Sequence, residues 1–192
     1  MRSDGRKVPL VKSERTLFES TAPVPPSAPP SWLGWYLLAG VLIGAAALML
    51  GAAAAASRKA RIGFLAITWT WFIVSGIAGL VLVGLWGFTD HAAAYRNENV
   101  LQMDLLVLPL LWLVTRMVIG SGRHSRVAVL LAATVAAISL LGLFLKLFPP
   151  FYQVNQSIIA LALPAHLGIA GGIWRVALQH QRTLRSASRA SG

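Results

Sequence analysis

Apolar residues occur along this chain in five long blocks that are separated by short polar segments. The blocks cover residues 33–55, 62–87, 105–119, 127–147 and 158–178. An α-helix needs about 20 apolar residues to cross the hydrocarbon core of a bilayer, and backbone groups in lipid must be satisfied within the protein. The pattern therefore predicts an all-α polytopic integral membrane protein, with a bundle of five transmembrane helices.

Proline and glycine add detail to the predicted helices. The third block is short, so its helix is expected to begin a turn or more before Leu105. Pro109 and Pro164 each remove a backbone donor inside a predicted helix and are expected to bend it. Glycines such as Gly40 and Gly44 predict close packing between helices, because small residues let membrane helices approach each other.

Polar sequence flanks the five blocks. Residues 1–31 end in the run TAPVPPSAPP, whose prolines favour extended polyproline II structure. We predict a flexible, proline-rich extracytoplasmic tail over 1–31, the five-helix transmembrane domain over 32–178, and a basic cytoplasmic tail over 179–192.

Charge gives the predicted orientation. The chain has 17 basic and 6 acidic residues, and its charged fraction of 12% is low for a soluble protein. With five crossings, three segments on one side hold ten basic residues and no acidic residue. The positive-inside rule then places the C-terminus in the cytoplasm and the N-terminus outside, in a bacterial cytoplasmic (inner) membrane. Because the basic clusters lie between apolar blocks, membrane lipids are the expected partners and nucleic acid is not.

In this topology the polar loops 89–104 and 148–157 share the outer face. We predict that they form a polar pocket, with His91 as an acid/base group or ligand and Thr89 as the N-cap of a short surface helix. The alternative is a solvated loop with an exposed histidine. The predicted pocket residues are Asp90, His91, Asn97, Glu98, Asn99, Gln153 and Asn155.

Two of the ionisable residues within the apolar blocks, His166 and Lys146, need separate consideration. His166 is an intramembrane candidate, since burying such a group is costly; the alternative is a neutral histidine that hydrogen-bonds a neighbouring helix. Lys146 is expected to extend its ammonium group to the surface. There is no cysteine, and no nucleophile–base pair, phosphate loop or metal-binding spacing is evident. No catalytic residue, metal or cofactor is therefore predicted, and the chain is not expected to be an enzyme.

Two pairs of short segments carry a family resemblance. They are FTDH at 88–91 with NENVL at 97–101, and QVN at 153–155 with LPAHL at 163–167. Together they resemble the C-terminal transmembrane module of the Lnb-type family, which includes lipoprotein N-acylating transferases. The resemblance covers roughly residues 30–178. One departure is Asp104-Leu105, where the family tends to have Asn-Pro.

Members of that family carry an extracytoplasmic domain, in which the catalytic residues are expected. The resemblance therefore implies a non-catalytic scaffold or lipid-handling module, which acts with an extracytoplasmic protein partner in envelope lipid or lipoprotein metabolism. Two alternatives remain open. One is an accessory structural subunit of a larger membrane complex of respiratory or photosynthetic type; the other, with least support, is an enzyme that uses His91, Glu98 and His166.

Overall fold

A computed structural model of the chain describes residues 31–89, 96–120 and 124–190, together with Arg15. The described residues contain helices and no strand. Four helices are long and apolar enough to cross a membrane: Leu33–Ala53, Arg58–Phe88, Ser125–Leu145 and residues 156–186 of the last helix. The prediction of an all-helical membrane protein is confirmed to that extent, and the predicted tail over 1–31 falls almost entirely outside the described residues. The elements are α1 (Leu33–Ala53), α2 (Arg58–Phe88), a 3₁₀ helix (Glu98–Leu101), α3 (Val107–Ile119), α4 (Ser125–Leu145) and α5 (Gln156–Ala190).

Helices α1 and α5 pack with their backbones nearly in contact. The buried face of α1 consists only of small residues: Gly40, Gly44, Ala47 and Gly51. A Cβ atom added at Gly51 would lie 2.7 Å from the Cα of Gly172, and one added at Gly168 would overlap the backbone of Gly44. These glycines of α1 and α5 therefore serve packing inside the bundle, where van der Waals contact stabilises helices in lipid.

Away from the contact between α1 and α5, the bundle buries larger side chains. Phe64, Phe72, Leu110, Met117 and Ile169 are all at most 1% exposed. Around the periphery the exposed side chains are also largely apolar, with residues such as Leu42, Met49 and Leu130 between 59% and 71% exposed. A large exposed apolar surface on a packed core indicates contact with lipid.

A side chain on α5 caps the C-terminal end of α1. The Gln179 side chain donates to the carbonyl oxygens of Gly51 (3.2 Å) and Ala52 (2.6 Å), and it accepts from the N–H of Ala55 at 3.1 Å. These carbonyls belong to the last turn of α1, where backbone donors become scarce; the Gly51 oxygen also accepts the N–H of Ala54 at 3.4 Å. The fifth apolar block ends at residue 178, but helix α5 continues to Ala190. Hydropathy marks where the apolar block ends, but the polar residues that follow are compatible with helix.

The third helix starts later than predicted. It begins at Val107, and residues 102–106 form turns instead of an earlier helical turn. Asp104 Oδ1 accepts the N–H of Leu106 at 2.9 Å, which stabilises the turn before the helix. Pro109 therefore lies in the first turn, where a helix needs no backbone donors, so the expected bend has no cause there.

Candidate functional site

Two polar segments meet at one end of the bundle, which we call the polar-loop end. One segment is residues 96–106, between α2 and α3, and the other is residues 146–155, between α4 and α5. Five of the seven predicted pocket residues lie on them. Asp90 and His91, with the predicted surface helix, fall outside the described residues.

Glu98 and Gln153 form a reciprocal pair. The N–H of Glu98 donates to Gln153 Oε1 at 2.7 Å, and the N–H of Gln153 donates to Glu98 Oε1 at 3.2 Å. Lys146 Nζ forms an ion pair with Glu98 and donates to the backbone oxygen of Gln153 at 2.8 Å. The Lys146 and Glu98 side chains are only 16% and 12% exposed. Lys146 therefore does not extend into solvent as expected; it ties the two segments together.

The asparagines add a second set of links. Asn97 Oδ1 accepts the N–H of Asn99 at 3.0 Å, so Asn97 caps the 3₁₀ helix. The same oxygen accepts from Gln153 Nε2 at 3.3 Å, and Asn155 Nδ2 donates to Asn99 Oδ1 at 3.0 Å. The structure thus brings Asn97, Glu98, Asn99, Gln153 and Asn155 into one hydrogen-bonded cluster with Lys146, which we call the outer polar cluster.

The segment 96–106 continues from this cluster into the bundle. Gln102 is fully buried; its Nε2 donates to the backbone oxygen of Ser139 at 3.1 Å, and its Oε1 accepts from the Ser139 hydroxyl. Gly142 leaves room for this side chain, and Gly79 does the same for the backbone of Met103. The non-helical backbone of this segment forms turn hydrogen bonds, such as Met103 N–H to the Asn99 oxygen at 2.8 Å, and the segment packs against α2 and α4.

Two buried acceptors in this region remain without a partner. They are Asn155 Oδ1 and Asp104 Oδ2, and these two residues are 5% and 9% exposed. The amide oxygen of Asn155 only accepts hydrogen bonds, and so does Asp104 Oδ2 when the carboxyl is ionised. An unpaired buried acceptor is costly, so each favours a bound group that offers N–H or O–H donors.

Apolar side chains border the outer polar cluster. Residues 152–155 alternate, with Tyr152 and Val154 being 86% and 89% exposed while Asn155 is buried. Phe88, at the end of α2, is a further exposed apolar side chain, at 90%. We call Tyr152 and Val154 the apolar rim. Exposed apolar side chains beside a polar site favour contact with a protein or a lipid surface.

His166 is remote from the outer polar cluster. It lies ten residues beyond the start of α5, which is about 15 Å along a helix axis. Its ring packs edge-on against Trp71, with the centroids 5.7 Å apart. Neither ring nitrogen has a hydrogen-bond partner, so the structure does not show the expected bond to a neighbouring helix.

The opposite end of the bundle is basic. A cleft of about 210 Å³ is lined there by residues that include Arg61, Gln179, His180 and Thr183. The two acidic residues within the described ranges, Glu98 and Asp104, both lie in the polar segment instead. Over the same ranges, no three histidine or acidic side chains come close enough together to hold a metal ion.

The predicted pocket left out three residues that hold the polar segments: Lys146 and Gln102 within them, and Ser139 on α4. A lone lysine near the outer end of an apolar helix, with a lone glutamate in a loop on the same face, could have indicated the ion pair. No comparable pattern identifies Gln102 and Ser139, because each is an isolated polar residue. Comparison of the chain with protein-family models, with curated proteins and with solved structures gives no match.

Proposed function

We propose that the chain is a non-catalytic membrane module that acts with an extracytoplasmic partner in envelope lipid or lipoprotein metabolism. In this proposal five helices cross a bacterial inner membrane, the N-terminus and the outer polar cluster lie outside, and the C-terminus lies in the cytoplasm. The resemblance to the Lnb-type membrane module is part of the same proposal. The observation that carries it is the outer polar cluster itself.

The geometry of the cluster favours binding over catalysis. Glu98, the one acidic group in the cluster, is paired with Lys146 and with the N–H of Gln153. A carboxylate held in this way is poorly available as a general base, and no nucleophile contacts it among the described residues. Asn155 Oδ1 and Asp104 Oδ2 instead offer acceptors for the amine or hydroxyl groups of a lipid head group or a lipoprotein terminus.

The apolar rim supports the involvement of a partner. Tyr152 and Val154 project from the same short segment that carries Gln153 and Asn155, so a protein docked on the rim would also cover the cluster. Tyrosine with an apolar neighbour is typical of the energetically important part of an interface.

One argument for the accessory-subunit alternative is that its glycine-lined helices would pack against another subunit, and this argument no longer applies. Gly40, Gly44 and Gly51 pack against α5 of the same chain and are not available for packing against another subunit. Assembly would have to use other faces, such as the one around Gly84 and Gly87, where an added Cβ atom would meet nothing within 4 Å.

The test is purification through a C-terminal tag in lipid nanodiscs, followed by mass spectrometry of proteins and lipids. We expect one stoichiometric extracytoplasmic protein or lipoprotein, which is lost from a Tyr152→Ser, Val154→Ser variant of unchanged thermal stability. Leu184→Ser is the matched control, since Leu184 is 65% exposed and lies far from the apolar rim, towards the C-terminal end of α5. A large set of membrane subunits that persists in the rim variant would support the accessory-subunit alternative and refute the proposal.

A further inference from the structure

A second polar site lies between α2 and α5, and it is independent of the outer polar cluster. We propose that Thr68, Trp71 and His166 bind the carbonyl group of a lipid that is dissolved in the membrane. The three residues are 0%, 7% and 2% exposed. Thr68 and Trp71 are three positions apart and so share one face of α2, and the Trp71 ring contacts His166.

The polar atoms of these three side chains are unpaired. Thr68 Oγ1, Trp71 Nε1 and both ring nitrogens of His166 are buried without a hydrogen-bond partner. Two other hydroxyl residues among the described ones are fully buried, and both are paired. Ser75 donates to the Trp71 carbonyl at 2.8 Å, and the Ser139 hydroxyl donates to Gln102 Oε1. Thr68 therefore differs from the fully buried hydroxyls elsewhere in the described bundle.

The unpaired atoms define the chemistry of the ligand. A hydroxyl offers one donor, the indole offers one donor and no acceptor, and a neutral imidazole offers one of each. The three side chains together therefore offer three donors, and in an apolar environment an unpaired donor is costly. A carbonyl oxygen accepts two hydrogen bonds and carries no charge that would have to be desolvated, so it matches the site better than a phosphate or an amine.

A path from the membrane reaches this site. A cleft of about 300 Å³ between α1 and α2 is lined by Ile43, Ala66, Ile67, Thr70, Trp71 and Val74. Its lining is predominantly apolar, and Val74 on its border is 58% exposed towards the periphery. Trp71 belongs to both the cleft and the polar trio. An apolar chain in the cleft would bring its carbonyl group to the Trp71 ring, which borders Thr68 and His166 on the other side of α2.

Two sources of such a carbonyl exist in a membrane: the ester of an acyl lipid and the ring of an isoprenoid quinone. Both combine an uncharged acceptor with an apolar chain. The cleft volume is at the lower end of the ~300–1,000 Å³ typical of ligand sites, which suits a head group or a few chain units.

Trp71 provides a specific reporter of binding. The other six tryptophans are between 43% and 67% exposed, so each can be replaced by phenylalanine to leave Trp71 alone. The Trp71-only protein is placed in nanodiscs of diether lipid, which contain no ester carbonyl. A short-chain ubiquinone and a diester phosphatidylcholine with brominated acyl chains are then titrated separately, and quenching of the Trp71 emission is measured.

We expect saturable quenching by at least one probe, and the probe that saturates identifies the source of the carbonyl. Binding should weaken about tenfold for each hydrogen bond removed, in His166→Leu and in the nearly isosteric Thr68→Val. Ser75→Ala, on the same helix face, should bind as the parent does. Quenching that rises linearly with both probes and is unchanged in Thr68→Val and His166→Leu would overturn the proposal, because the trio would then hold water only.

Discussion

Replacing Lys146 by methionine tests whether the outer polar cluster holds the two polar segments together. The change keeps a long apolar side chain but leaves Glu98, 12% exposed, with Gln153 N–H as the only partner seen for its carboxylate among the described residues. Removing one member of a buried ion pair typically costs 3–5 kcal/mol, whereas an exposed pair contributes about 1 kcal/mol or less. For this largely buried pair, we expect a loss of about 2–3 kcal/mol in the free energy of unfolding.

The assay is unfolding by SDS titration in mixed micelles, for Lys146→Met, Glu98→Gln and the double variant. Because Glu98→Gln removes the charge that Lys146 neutralises, the double variant should be less destabilised than the sum of the single variants, by about 1–2 kcal/mol. Lys59→Met, at the exposed start of α2, is the control and should change stability by about 0.5 kcal/mol or less. Additive single effects would refute the reasoning, since the two side chains would then not be coupled.

Three further predictions use the same titration. Gly44→Ala places a Cβ atom against the Pro164 carbonyl and should lower the free energy of unfolding by about 1–3 kcal/mol. Gly84→Ala has open space and should raise it by about 0.5–1 kcal/mol. Equal effects of the two variants would contradict the close packing of α1 and α5. Ser139→Ala leaves the Gln102 amide oxygen unpaired and should cost about 1–3 kcal/mol; a neutral result would argue against this buried bond. Gln179→Ala removes the cap of α1 and should cost about 1 kcal/mol, with faster hydrogen exchange at the Ala55 N–H; unchanged exchange would count against the cap.

Hydropathy predicted the four helices that are long and apolar enough to cross a membrane, because such apolar blocks have the length that the bilayer thickness requires. It did not predict that α3 begins only at Val107 or that α5 continues as a helix to Ala190, because other interactions decide where these helices begin and end. Before Val107 the non-helical backbone is satisfied by the chain itself, because Met103 N–H donates to the Asn99 oxygen and Leu106 N–H donates to Asp104 Oδ1, while Gly79 leaves room for this backbone. After residue 178 the chain leaves the apolar block but retains residues that favour helix.

The candidate site was predictable in its location but not in its contacts. Alternating helix directions bring the loops around Asn97 and Gln153 to one end of a bundle, and the polar residues in those loops are few. Their pairing was not predictable, because the position of Lys146 on α4 relative to Glu98 depends on how the helices rotate and slide against each other. The partners of Gly44 and His166 depend on the same packing.

Site-specific labelling tests the central claim, that α3 together with segment 97–106 crosses the membrane and places the outer polar cluster outside. The chain has no cysteine, so single cysteines can be introduced at four positions that are 65–90% exposed: Phe88, Ile119, Tyr152 and Leu184. With an impermeant maleimide on spheroplasts, the account predicts labelling at Phe88 and Tyr152, and labelling at Ile119 and Leu184 only after permeabilisation. If Ile119 were labelled from the same side as Phe88, α3 would not cross the membrane, and the proposed position of the cluster would be contradicted.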